Sequence, residues 1–157
     1  FGSMLDYVFD AELSEAFDCS ALAEGHPGSY TIFTPIFTCN PLRRSAIAEP
    51  MTEISPTGAA GFNQGNIAAY PRIELAIPEA GEIMLAVAGN TLRVQVSGAG
   101  NLVLDMETGI VCDETGAPSP IAREMSGSRL TLPVGEWKLS LTGNVTGGAM
   151  DVRTRWV

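Results

Sequence analysis

Residues 63–90 read NQGNIAAYPRIELAIPEAGEIMLAVAGN. The second half of this stretch alternates. Ile73, Leu75 and Ile77 fall on one face, with Arg72 and Glu74 on the other, and after the turn PEAGE the residues Ile83, Leu85 and Val87 repeat the pattern. A period of two over such short runs marks strands buried on one face only. Gly89 and Asn90 tolerate positive φ and signal a tight hairpin. Leu92, Val94 and Val96 follow, with Arg93 and Gln95 facing out. Half-solvated strands joined by tight turns predict antiparallel pairing, because a parallel sheet is buried on both faces and reads as continuous apolar runs.

The same pattern continues downstream. SGAGN turns the chain into Leu102, Leu104 and Met106; Thr108–Gly109 leads to the short run IVCDE; TGAPSPIAREMSGS reads as a longer loop. RLTLPV, EWKLSLTG (Trp137, Leu139, Leu141) and AMDVRTRWV (Met150, Val152, Thr154, Trp156) close the chain. About eight strands from Ile73 onward, at this spacing, predict a two-sheet sandwich of jelly-roll type over 67–157.

Upstream the text changes. Pro41 to Gly65 lacks periodicity and contains Pro50, Pro56, Gly58 and Gly61, so 46–66 reads as a connection, crossed by one short strand at EPMTEIS. YTIFTPIFTCN (Tyr30–Asn40) predicts a strand in which Pro35, lacking a ladder donor, marks an edge or a bulge. LDYVFDAEL (Leu5–Leu13) alternates like a strand, while DAELSEAFDCSALAEG carries helix signals, with Asp10 as cap and Gly25 as stop. Both readings stay open there.

Composition limits the function classes. The 157 residues are 45% hydrophobic and 17% charged, enough apolar material for a packed core. A net charge of −9 gains nothing from phosphate neutralisation, which argues against nucleic acid and against an anionic membrane surface. No run approaches the ~18 apolar residues of a membrane span, and FGSMLDYVFD lacks the basic start of a signal peptide. Cys19, Cys39 and Cys112 match no zinc or redox spacing and read as thiols of a reducing compartment.

Catalytic patterns do not emerge. VSGAG and EMSGS do not supply G-x-S-x-G, and no phosphate-cradling glycine loop occurs. His26, the single histidine, precedes a proline in the turn HPGS and reads as solvated. Asp105, Glu107, Asp113 and Glu114 form the densest acidic group. Hard cations want several oxygens, so calcium is one reading and an exposed, edge-blunting acidic face the other. Trp137 and Trp156 fall in phase with core positions, and Tyr70 is the better candidate for exposure. Leu42–Arg44 is a basic spot that suits either an acidic neighbouring subunit or a solvated turn. Asn144-Val145-Thr146 is a glycosylation sequon, relevant only on a secretory route. The expectation is a non-enzymatic chain with no cofactor, no metal and no catalytic residue.

Four stretches together carry a resemblance. YTIFTPIFTCNP, NQGNIAAYPRIELAIPEAGEIMLAVAGNTLRV, LVLDMETGIVCDETG and LTLPVGEWKLSLTGNVTGGAMDVRTRWV resemble, in order and spacing, the distal tail protein family of long-tailed siphophages. The match runs from Tyr30 to Val157, and Glu136-Trp137 stands where the family often has Glu-Asn. The resemblance implies a remnant of an N-terminal ring-type domain over 1–45, then an antiparallel, galectin-like jelly-roll sandwich. It implies a structural component of the phage tail tip, made in the bacterial cytoplasm and assembled into the virion. Its implied partners are further copies of itself in a hexameric ring, the tail-tube protein, a tail-associated lysin and, in many members, a receptor-binding protein. The alternatives are a carbohydrate-binding β-sandwich for host attachment and an accessory sandwich domain of an enzyme.

Overall fold

The alternation around Ile73 and Ile83 becomes the centre of two packed sheets. A computed structural model of the chain describes residues 7–13, 37–45 and 49–157, in which all regular structure is β. The strands are β1 (Tyr7–Leu13), β2 (Phe37–Ser45), β3 (Thr52–Ile54), β4 (Gly58–Asn63), β5 (Arg72–Ile77), β6 (Gly81–Val87) and β7 (Asn90–Val96). They continue as β8 (Gly100–Asp105), β9 (Ile110–Cys112), β10 (Ala122–Gly127), β11 (Gly135–Thr142), β12 (Gly147–Asp151) and β13 (Arg155–Trp156).

Two five-stranded sheets, ordered β10-β7-β6-β11-β4 and β3-β12-β5-β8-β9, form the sandwich. Every pairing is antiparallel. β5 pairs with β12, β6 with β11, β7 with β10 and β8 with β9. This nested set is the ladder of one long hairpin rolled over on itself, as in a jelly roll. The roll leaves β6 beside β7 in one sheet and β5 beside β8 in the other.

The inward positions are those the alternation names. Ile73, Leu75, Leu102, Leu104 and Met150 from one sheet meet Ile83, Leu85, Val94 and Leu139 from the other in one buried cluster. Each contributes about 1.5–3 kcal/mol by leaving water. Trp137 joins them, 5% exposed, because Gly61 on β4 opposite leaves room: a Cβ there would lie 2.5 Å from the indole.

Four expectations need correction. The short strand expected at EPMTEIS is β3, paired with β12, but the same segment, read otherwise as a connection, also supplies β4, which extends the other sheet by pairing with β11. The strand expected at RLTLPV is instead irregular chain with Leu130 and Leu132 fully buried, and the neighbouring strand is β10, inside the supposed loop. β10 is almost wholly exposed and pairs through its backbone, so it has no alternation to reveal it. The β6–β7 turn is centred one residue early: Ala88 (φ 48°) and Gly89 (φ 84°) form it, and Asn90 already pairs with Val87. Finally, AMDVRTRWV is not one strand. Arg153 adopts φ 54°, a left-handed conformation that ends β12 and redirects the chain into β13.

β13 enters a third sheet, ordered β1-β2-β13. The strand reading holds at Tyr7–Leu13, and β2 runs on through Pro41 to Ser45. The β1–β2 register shifts between Phe9–Arg43 and Ala11–Cys39, a bulge that accommodates the proline. The rest of the helix alternative, His26, Pro35 and Cys19 lie outside the described residues.

Candidate functional site

The stretch NQGN at the head of β5 explains where the C-terminus goes. Asn63 is fully buried. Its side-chain amide donates to the carbonyls of Ile67 (3.1 Å) and Leu132 (3.3 Å), and its oxygen accepts from the Gly65 N–H (3.0 Å). That fixes a tight loop. Gly65 then lies against β13, where a Cβ would fall 2.1 Å from the Arg155 carbonyl oxygen. Asn66 completes the grip: its amide donates to the Val157 carbonyl (3.2 Å), and the Val157 N–H donates back (2.9 Å).

Arg155, 7% exposed, is the centre of the junction. Its guanidinium bonds the Glu107 carboxylate and stands over the Tyr70 ring at 5.1 Å, and Arg129 approaches the same ring at 5.7 Å. Glu107 also meets Arg153 (3.5 Å) and, from β2, Arg44 (3.4 Å). Arg153 bonds Asp105 (3.1 Å), and Arg129 donates to the Glu107 carbonyl (3.0 Å). Beside them the Thr154 hydroxyl donates to Glu49 (2.7 Å). Side chains from the β8–β9 turn, β2 and the last five residues thus close one charged seam between the sandwich and the three-stranded sheet.

Asp105 holds the turn itself, accepting the N–H groups of Glu107 (2.9 Å) and Thr108 (3.1 Å). Partial burial pushes its carboxyl up. The Thr108 N–H, the charge and hydrogen bond of Arg153 and the Glu107 N–H outweigh that and hold it below the ordinary aspartate value.

The structure separates the acidic group. Asp105 and Glu107 face the seam. Asp113 folds inside its own loop, accepting from the Thr115 hydroxyl (2.7 Å) and the Ala117 N–H (3.1 Å). The Thr115 hydroxyl bond, against slight desolvation, leads the backbone donors of that loop in lowering its pKa. Glu114 instead accepts from Asn101, at the wall of a groove across the outer face of β5, β8 and β12 that is floored by Ala76, Gly148 and Ala149. No three of the described acids, cysteines or histidines converge as a metal would require. Leu42–Arg44 is not a turn: it lies in β2, and Arg44 meets Glu107 of the same chain. Trp137 is core, Trp156 half-buried, and Tyr70 is covered by arginines rather than open. Asn144 bonds Glu79 on the surface.

Sequence reasoning missed Arg153 and Arg155 because strand alternation assigned them to a solvated face. The signal was present in Arg-x-Arg beside Trp at the end of a strand, which is unusual for a merely solvated edge in so acidic a chain. Chemically the seam is a clamp. Its carboxylates are engaged by guanidinium and amide donors and, at Glu49, by the Thr154 hydroxyl. Comparison of the chain with protein-family models, curated proteins and solved structures finds no match.

Proposed function

We propose that the chain is a structural component of a bacteriophage tail tip, a distal hub subunit joining the tail tube to the adsorption apparatus. One observation carries the reading. The last strand leaves the sandwich, pairs with β2, itself paired with β1, and is pinned there by the NQGN loop and the Glu107 seam. A two-part chain, with an N-terminal β unit clamped to a β-sandwich, is the layout that the resemblance of the four stretches implies. The working surfaces are then strand edges and loops, and the clamp transmits load between the two parts.

Immunogold electron microscopy of an induced lysate tests this. Label at the distal tip of tails is the expected result. Abundant tailed particles without label, with the protein free in the lysate, would sink the proposal. The carbohydrate-binding alternative gains little, since Trp137 is buried and Tyr70 is stacked by arginines, leaving neither as an open sugar platform.

A further inference from the structure

Strand edges invite further strands, and natural sheets protect them with charge, bulges, proline, brevity or cover. The described edges can be sorted on that basis. β3 and β9 are three residues each, and β9 is further covered where Cys112 bridges Pro118. β10 carries Arg123 and Glu124 and a register shift between Ala122 and Glu124. β1 carries Asp10 and Glu12 and a bulge, and β13 is two residues long. Among the described residues, β4 has none of these protections. Gly58–Asn63, sequence GAAGFN, pairs with β11 through six residues without a shift and holds no charge and no proline. Ala60 is exposed and Phe62 is 59% exposed. Among the described residues, no backbone bond outside the β11 ladder engages Ala59, Ala60, Gly61 or Phe62.

The strand also indicates its occupant. Recognition of a foreign strand needs pockets that read alternate side chains, and a Gly-Ala-Ala-Gly run offers none. Its own sequence fits better. Antiparallel pairing of β4 with β4 that keeps the outer face continuous sets Phe62 of one copy beside Gly58 or Ala60 of the other, an aromatic ring over a small residue on both sides of the axis. No charge opposes the contact locally. We infer that β4 is a self-pairing edge, through which two copies join their five-stranded sheets into one across a two-fold axis. The contact uses the same strand on both copies, so it closes at two and does not propagate.

Sedimentation of the full chain between roughly 10 and 500 μM, at about 0.5 M salt to screen the net charge, tests this. The expected result is a dimer at the upper end that is lost in both Ala60→Lys and Phe62→Lys. Gln95→Lys, on the same outer face but away from the edge, leaves it unchanged. Circular dichroism establishes that each variant is folded. Hydrogen exchange of the unaltered chain gives a second readout, with β4 amides slowing as concentration rises. A chain that stays monomeric throughout, or a dimer that survives both substitutions with β4 exchange indifferent to concentration, overturns the inference. Such a failure leaves the tail-tip reading to its own microscopy.

Discussion

Glu107 sits where three guanidiniums meet, and Arg155 has the least access to water of the three. Removing the carboxylate strands a nearly buried charge, a costlier change than removing the pair together. Glu107→Gln should therefore lower unfolding free energy by about 1–3 kcal/mol, discounted because Glu107 keeps 27% of its side-chain surface. Urea titration of the Glu107/Arg155 double-mutant cycle should show the two losses to be strongly non-additive. Asp105 gives the seam a pH dependence with a definite sign. Its folded pKa lies below the unfolded one, so its contribution is present in full above the ordinary aspartate range and disappears as pH falls through the folded value. Stability of wild type relative to Asp105→Asn should shrink below about pH 4, and a constant difference down to pH 2.5 (on the order of one unit past that range) would count against the arrangement. Ala88 is a residue working against its own conformation. At φ 48° it pays a steric cost that asparagine or glycine does not, and Asn-Gly is the preferred pair for such a turn. Ala88→Asn should stabilise the chain by about 0.5–1 kcal/mol, read as a higher urea midpoint with unchanged slope.

At the scale of elements, the loop before β5 and the strand β13 act as one unit. Gly65 is needed there for contact rather than for backbone freedom, because any side chain would meet the Arg155 carbonyl at 2.1 Å. Gly65→Ala should push β13 away, costing about 1–3 kcal/mol, and should speed exchange of the Val157 amide that Asn66 holds. Unchanged protection there would show that the loop does not grip the strand. This unit also marks the limit of what sequence could reveal. β5, β6, β7 and β11 were legible because each buries one face and therefore alternates, whereas β8 buries Leu102, Val103 and Leu104 in succession and β12 buries Met150 alone. β4 and β10 were not, for opposite reasons: β4 is built of glycine and alanine, and β10 is exposed on both sides. Both are held by backbone ladders that leave no imprint on side-chain choice. Leu130 and Leu132 misled, since a buried irregular segment needs apolar residues as much as a strand does. The seam was the least legible feature. Glu107, Arg44 and Arg155 are far apart in the chain, and only the left-handed turn at Arg153 brings the last strand to them.

At the scale of the whole molecule, the balance of charge shows how the parts divide the work. Arg44, Arg129, Arg153 and Arg155 gather at one seam with Asp105, Glu107, Asp151 and Glu49, so the net charge of −9 is carried by the rest of the molecule. Among the described residues, the apolar cluster is drawn from both five-stranded sheets and the chain that joins their strands. β13 ties the third sheet to the sandwich through two paired positions, Arg155–Arg44 and Trp156–Arg43. Deleting residues 155–157 should therefore split the stability of the chain. Hydrogen exchange should show amides of Tyr7–Leu13 and Phe37–Ser45 losing protection while those of β5, β6 and β11 keep theirs. Near-ultraviolet circular dichroism should retain the signal of Trp137, which lies in the sandwich core. If the sandwich amides lose protection together with those of β1 and β2, the two parts fold as one cooperative unit. The clamp would then be part of the core rather than a joint between two bodies.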